Sequence, residues 1–166
     1  SGVLLHPTAL PSSYGIGELG PNAYEFVDSL SEMGQTLWQI LPIGPTDIYN
    51  SPYSSISTFA GNPLLISLDL LIEDNLLDAG SIIDCGQDLN SHIKFKDVIN
   101  FKLPILKQVC KRFNNLASEK MKIGFNEFCK KESYWLEDFS TYCALKEANN
   151  NMPWPQWKYN DVSDIS

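Results

Sequence analysis

Three groups of residues in this chain have the types from which chemistry is built. Carboxylates for acid–base work are present as the adjacent pair Glu73 and Asp74, and as Glu18 and Asp47 in two glycine- and proline-rich stretches. Neighbours on a helix point about 100° apart, so Glu73 and Asp74 do not face one substrate. Glu18 and Asp47 sit in loops able to approach each other, but loop carboxylates are more often solvated or cap a nearby helix. Metal ligation would draw on His6, His92, Cys85, Cys110, Cys129 and Cys143, which form no C-x-x-C pair and no zinc-type spacing. The expectation is no metal, and reduced cysteines that behave as small hydrophobes. The third group is Tyr49, Ser51, Pro52 and Tyr53. A proline-stiffened loop can hold a ring so that it offers a flat apolar face with a hydroxyl at its rim. On the residues alone, a loop tyrosine packed against the core is the simpler reading of Tyr53.

The elements that must position these residues belong to a globular chain of 166 residues, 43% hydrophobic and 19% charged. Its formal net charge of −8 repels phosphate backbones, so nucleic acid is excluded as a partner. The lysines between Lys94 and Lys131 alternate with apolar residues at helical spacing and read as a solvated helix face. No apolar run approaches the roughly 18–20 residues that span a bilayer. No basic stretch followed by an apolar segment opens the chain, and a cytoplasmic protein is expected.

Two textures divide the chain. Residues 1–74 hold most of the glycines and prolines, in long loops between short apolar runs; residues 75–166 read as mainly helical. Val3-Leu4-Leu5 fits a buried strand, which His6-Pro7 ends. Pro21 suits the first position of a helix whose inward face is Ala23, Phe26, Val27, Leu30 and Met33, with Gly34 stopping it. Thr36 to Leu41 is a second strand. Strand, helix and strand in about forty residues make a βαβ unit with parallel strands. A loop from Pro42 to Pro63 follows, leaving the C-terminal end of a strand where α/β folds place their ligands. Asn62 suits a locally bonded turn, and Leu64 to Leu68 reads as a further extended apolar run. A short helix is expected over Leu70 to Leu77. A longer one is capped by Asn100 and keeps Pro104 in its first turn, with Phe101, Ile105, Val109, Phe113 and Leu116 inward. Another starts at Ser133, with Leu136, Phe139, Cys143 and Ala144 inward, and fades at Asn149 to Asn151. Trp154 to Trp157 reads as an extended aromatic tail.

Four stretches, in order, resemble the amylomaltase (disproportionating enzyme) family of 4-α-glucanotransferases. They are GVLLHPTALPSSYGIGELG at 2–20, AYEFVDSLSEMGQTLWQILPIGPT at 23–46, SPYSSISTFAGNPLLISLDLL at 51–71, and YWLEDFSTYCALKEANN followed by WPQW between 134 and 157. Ser-Pro-Tyr alone would occur by chance. Four long pieces in family order across the whole chain are specific.

The resemblance implies an α/β fold: the N-terminal part of a TIM (β/α)8 barrel with an inserted helical subdomain. A barrel needs about 250 residues, so residues 1–74 would supply its first strands and substrate loops and 75–166 the insertion. The implied reaction moves a segment of α-1,4-glucan to the 4-hydroxyl of an acceptor sugar with retention, using two carboxyl groups about 5–5.5 Å apart. In the family those groups lie on later strands, so no catalytic residue is expected within residues 1–166 and the isolated chain is expected to be inactive. The resemblance places Tyr53 on the sugar ring beside the scissile bond and lets Ser51 hydrogen-bond sugar hydroxyls. His6, at the end of the first strand, is a candidate for the site floor or for a hydrogen-bonded core position. Tyr49 lies near a second glucan site of some family members, whose aromatic aligns with Ile48 here. Trp38 and Gln39 match the family but suit the core. The implied partners are maltooligosaccharides and starch or glycogen fragments, with no cofactor. Two alternatives remain: a free-standing carbohydrate-binding domain using Tyr49, Tyr53, Trp154 and Trp157, and part of another α-glucan enzyme such as a debranching enzyme. Unpaired edges of an open sheet predict poor solubility for the chain alone.

Overall fold

A computed structural model describes residues 1–82 and 92–158. Cys85 lies outside the described residues. The chain forms two compact units, Ser1–Ser118 and Glu119–Ser166.

In the first unit, β1 (Gly2–Leu4) and β2 (Leu37–Gln39) pair in parallel, with Val3 opposite Trp38. The ladder runs slightly further at both ends, through Thr36 N–H to the Ser1 carbonyl (3.0 Å) and Leu5 N–H to the Gln39 carbonyl (3.0 Å). The crossover between them is α1 (Pro21–Glu32), with Pro21 at its start, where its missing N–H costs nothing. Gly34, at φ 70°, takes the left-handed conformation just past its end. The βαβ unit expected from the sequence is therefore present. The inward face of α1 is narrower than expected: Ala23 and Leu30 are buried, Phe26 is half-buried, and Val27 and Met33 are exposed. Phe26 meets Trp38 edge-on at 5.1 Å, and the Trp38 indole N–H donates to the Leu5 carbonyl at 2.8 Å. Trp38 is thus committed to the packing of this unit. The other face of the two-stranded sheet carries Leu4 and Leu37, both exposed.

The expected third extended run does not form. Residues Pro63–Leu65 make a 3-10 turn instead. Pro63 has no N–H to give a ladder and Asn62 Oδ1 accepts the Leu64 N–H at 3.0 Å, so the local turn wins. A single parallel bridge between Leu19 and Ile66 is what remains of strand pairing there. The helix after it, α2 (Leu68–Glu73), begins earlier than expected because Ser67 Oγ accepts the Leu70 N–H and caps it.

The long helix also begins earlier. It is α3 (Phe95–Leu116), so Asn100 is not its cap and Pro104 lies in its interior. The lost hydrogen bond is outweighed by the buried stripe Val98, Lys102, Leu106 and Val109, which spans Pro104 on both sides. α3 packs on the Pro63–Leu65 turn through a core of Ile16, Leu64 and Val98, flanked by Ile93, Phe95, Ile99 and Leu103. The first compact unit consequently runs well past the change of texture at residue 74.

Gly17 sits where two backbone segments pass close together, the tightest site among the described glycines. A Cβ there would lie 2.0 Å from the Pro7 carbonyl oxygen and 2.8 Å from the backbone N and O of Leu10. These are backbone atoms that cannot swing aside. Gly17→Ala is expected to destabilise the unit by about 3 kcal/mol, the upper range for overpacking. A thermal midpoint unchanged from wild type would contradict that.

The second unit contains α4 (Glu119–Lys131) and α5 (Ser133–Ala148). α5 starts where expected, and Asn150 and Asn151, both with positive φ, follow its end. Leu145 is buried, Leu136, Phe139 and Cys143 are half-buried, and Ala144 is exposed. Residues Trp154–Gln156 form a 3-10 turn rather than an extended tail. Pro153 and Pro155 suit such a turn, and the Trp157 indole closes it by donating to the Met152 carbonyl at 2.8 Å and packing 5.6 Å from Tyr142.

Candidate functional site

Where β2 ends, residues 42–62 form a loop closed by its own backbone. At its base the Asn62 N–H donates to the Ile43 carbonyl at 2.8 Å. Higher up, Ile56 N–H reaches the Pro45 carbonyl (2.9 Å) and Asp47 N–H the Ser54 carbonyl (3.1 Å), around an antiparallel bridge from Thr46 to Ser55. The tip is two successive turns. Asp47 Oδ1 accepts the Tyr49 N–H at 2.9 Å and its carbonyl accepts Asn50 N–H at 3.1 Å, with Asn50 left-handed at φ 56°. The Ser51 carbonyl then accepts Ser54 N–H at 3.0 Å, while Ser51 Oγ accepts the Tyr53 N–H at 3.4 Å. Accepting through a lone pair does not consume the Ser51 hydroxyl hydrogen, which can still donate.

This scaffold leaves the tyrosines outside. Tyr53 is 75% exposed and Tyr49 79% exposed. The simpler expectation from the residues, Tyr53 packed into the core, is not what forms. The Tyr53 ring lines a groove of about 690 Å³ together with Pro52, Ile43, Ile56, Ser57 and Phe59. An apolar-walled groove with hydroxyls at its edge suits a ligand that is flat and apolar on one face and polar around its rim.

His6 stands at the other strand end. Its Nδ1 accepts from the Thr8 N–H (3.3 Å) and Thr8 hydroxyl (2.8 Å), and its Nε2–H donates to the Pro42 carbonyl at 3.4 Å. Since a backbone N–H can only donate, these bonds select the tautomer with its proton on Nε2. His6 thereby ties the exit of β1 to the first residue of the tyrosine loop. Of the four expected site residues only Tyr53 lines the groove; Ser51 and Tyr49 stand on the same loop outside that lining, and His6 holds the loop's first residue from the end of β1.

The carboxylates are committed elsewhere. Asp47 holds its own turn. Glu18 is only 6% exposed, forms an ion pair with Lys102 Nζ, and accepts the Leu68 N–H at 3.3 Å at the start of α2. This is a helix-capping carboxylate with a buried counter-ion. Burial pushes the Glu18 carboxyl above its usual range and the Lys102 ammonium below its own, each offset in part by the partner's charge. Lys102, fully buried, also donates to the Leu64 carbonyl at 2.6 Å. The reading of the lysines as a solvated face fails at this residue. Its signal was in the sequence: Val98, Lys102 and Leu106 follow helical i, i+4, i+8 spacing, which sets a lysine inside an apolar stripe. Beside it, the Tyr14 hydroxyl donates to Asp69 Oδ1 at 2.6 Å and the Tyr14 ring stacks on Phe101.

Among the described residues, no group of three or more His, Cys, Asp or Glu could hold a metal ion. No helix among them is long and apolar enough to cross a membrane.

Comparison with known proteins agrees along the whole chain. The glycoside hydrolase 77 family profile, described as 4-alpha-glucanotransferase, matches residues 5–165. A 4-alpha-glucanotransferase of Synechocystis is 43% identical over 157 residues, covering 95% of this chain and 31% of that protein. That of Thermus thermophilus is 40% identical, over 94% of this chain and 30% of its own length. The chloroplastic/amyloplastic enzyme of Solanum tuberosum is 35% identical, over 95% and 28%. An amylomaltase from Streptococcus agalactiae, solved in complex with acarbose, superposes with a TM-score of 0.86 at 36% identity, covering 95% of this chain and 32% of that one. The chain thus has the α/β fold of these enzymes over the region it shares, and spans about a third of their length. With its strand ends, tyrosine loop and helical segments all falling within that match, the chain belongs to the 4-alpha-glucanotransferase family, glycoside hydrolase 77.

Proposed function

We propose that this chain is the N-terminal part of a cytoplasmic 4-α-glucanotransferase and supplies the donor-sugar platform of its active site. The observation that carries the reading is Tyr53: an exposed residue on a loop closed by its own hydrogen bonds, lining a groove, at the C-terminal end of a parallel strand pair. A glucose unit presents an apolar face to such a ring and hydroxyls to its surroundings, here Ser51. The acarbose bound by the Streptococcus agalactiae relative is a ligand of that shape, which supports α-1,4-glucans as substrates. His6 fixes the loop's first residue from the floor of the site, and Tyr49 extends the exposed aromatic surface.

The exposed Leu4 and Leu37 face supports the barrel architecture. In a (β/α)8 barrel the side chains of that face fill the interior against the remaining strands. Residues 1–74 would then open the barrel, and the helices beyond would be the insertion. Retaining transfer needs a carboxylate nucleophile and an acid/base partner. Glu18 and Asp47 are engaged in structural contacts, and the resemblance to the family assigns these groups to a part of the enzyme outside residues 1–166. No cofactor enters this reaction.

Incubation of the whole enzyme with maltotriose tests the reading. The expected products are glucose together with longer maltooligosaccharides, and none from residues 1–166 alone. Glucose and maltose without longer products would mean a hydrolase. Turnover by the isolated chain would show that the catalytic groups lie within it.

A further inference from the structure

A lysine with no exposed surface needs a reason beyond stability. Apolar residues of similar volume replace buried ion pairs with little loss, and sometimes with a gain. A buried charge can instead select one arrangement: Lys102 Nζ is satisfied only while both Glu18 and the Leu64 carbonyl are in place. Leu64 is the anchor of the tyrosine loop. Its N–H is held by Asn62 Oδ1 at 3.0 Å, and the Asn62 N–H closes the loop base on the Ile43 carbonyl at 2.8 Å. The next residue is pinned too, since Leu19 N–H donates to the Leu65 carbonyl at 2.9 Å. Glu18 completes the clamp by accepting the Leu68 N–H. A continuous set of bonds therefore runs from Lys102 on α3, through the Pro63–Leu65 turn, to the base of the loop that carries Tyr53.

We propose that Lys102 and Glu18 are positioning residues for glucan transfer: the buried pair fixes the C-terminal stem of the tyrosine loop so that Tyr53 meets the donor sugar in one place. The proposal rests on the reading of Tyr53 as the sugar platform. Displacing a positioned group by about 1 Å can cost as much as 100-fold in rate, so a slack stem acts on turnover rather than only on stability.

The test uses the full-length enzyme and maltotriose kinetics on Glu18→Gln/Lys102→Met, which removes both charges and keeps the volume. The expected result is a fold that keeps most of the wild-type thermal stability, with kcat lowered about tenfold and KM changed less, the pattern of a lost transition-state contact. Wild-type kcat and KM in this stable variant would overturn the proposal. Asn62→Ala breaks the same path with the ion pair intact, so it probes the stem independently if the double variant folds poorly. It is expected to share the kinetic defect, while Asn62→Asp, which keeps an acceptor for the Leu64 N–H, restores turnover. An Asn62→Ala enzyme with wild-type kinetics would also overturn the proposal. Tyr53→Ala measured alongside separates the two claims. If it is fully active, the sugar-platform reading fails; if it is impaired while the double variant is normal, only the positioning role fails.

Discussion

Lys102→Met alone is expected to lower the opening free energy of the first unit by about 3–5 kcal/mol, the cost of leaving one member of a buried ion pair without its partner. The substitution strands the Glu18 carboxylate in a site with 6% exposure and leaves the Leu64 carbonyl without its donor. Glu18→Gln alone has the mirror problem, because the Lys102 ammonium then has only neutral acceptors. Together the two substitutions leave no buried charge. Glu18→Gln/Lys102→Met is therefore expected to recover most of the loss from either single change, a coupling of several kcal/mol between contacting residues. Native-state hydrogen exchange at the α3 amides of the whole protein reads this directly, since those amides report opening of this unit. Additive losses in the double variant would mean that the pair is not the closed, desolvated contact described here.

The second large effect is on turnover. Tyr53→Ala in the full-length enzyme is expected to lower kcat/KM for maltotriose by roughly 10- to 100-fold, corresponding to about 1.4–2.8 kcal/mol of lost transition-state binding. That size follows from removing a ring that covers a sugar face, an aromatic contact plus its buried apolar area. Tyr53 is exposed and packs against no core, so stability should change by less than about 0.5 kcal/mol. Tyr53→Phe keeps the ring and should retain most of the activity, with the remainder reporting the hydroxyl. A Tyr53→Ala enzyme with wild-type kcat/KM would remove this residue from the donor site.

How far the sequence reveals these features depends on the range of the interactions. The crossover of β1, α1 and β2 is legible because proline, glycine and apolar spacing act within a few residues. So are the turn at Asn62 and the start of α5. The Leu64 to Leu68 run misleads because a short apolar stretch fits a strand or a turn equally well. Only the local bonds from Asn62 and Ser67 decide between them. The start of α3 is misplaced from sequence because Pro104 suggests a first turn, whereas burial of Val98 and Lys102 carries the helix further back. The commitment of Glu18 to Lys102 joins residues 84 positions apart, beyond anything periodicity reports. Of the site, the tyrosine loop stands out by its composition and by the Ser51-Pro52-Tyr53 motif. The outward placement of its rings depends on backbone bonds between its two limbs, which composition does not record.

Whether Tyr53 is the donor-sugar platform is decided most sharply by a crystal structure of the full-length enzyme with acarbose bound. The expected result is a sugar ring lying face-on against Tyr53, with heavy atoms about 4 Å apart, and the Ser51 hydroxyl within hydrogen-bonding reach of that sugar. A bound inhibitor that leaves Tyr53 untouched, with the ring covered instead by protein, would contradict it.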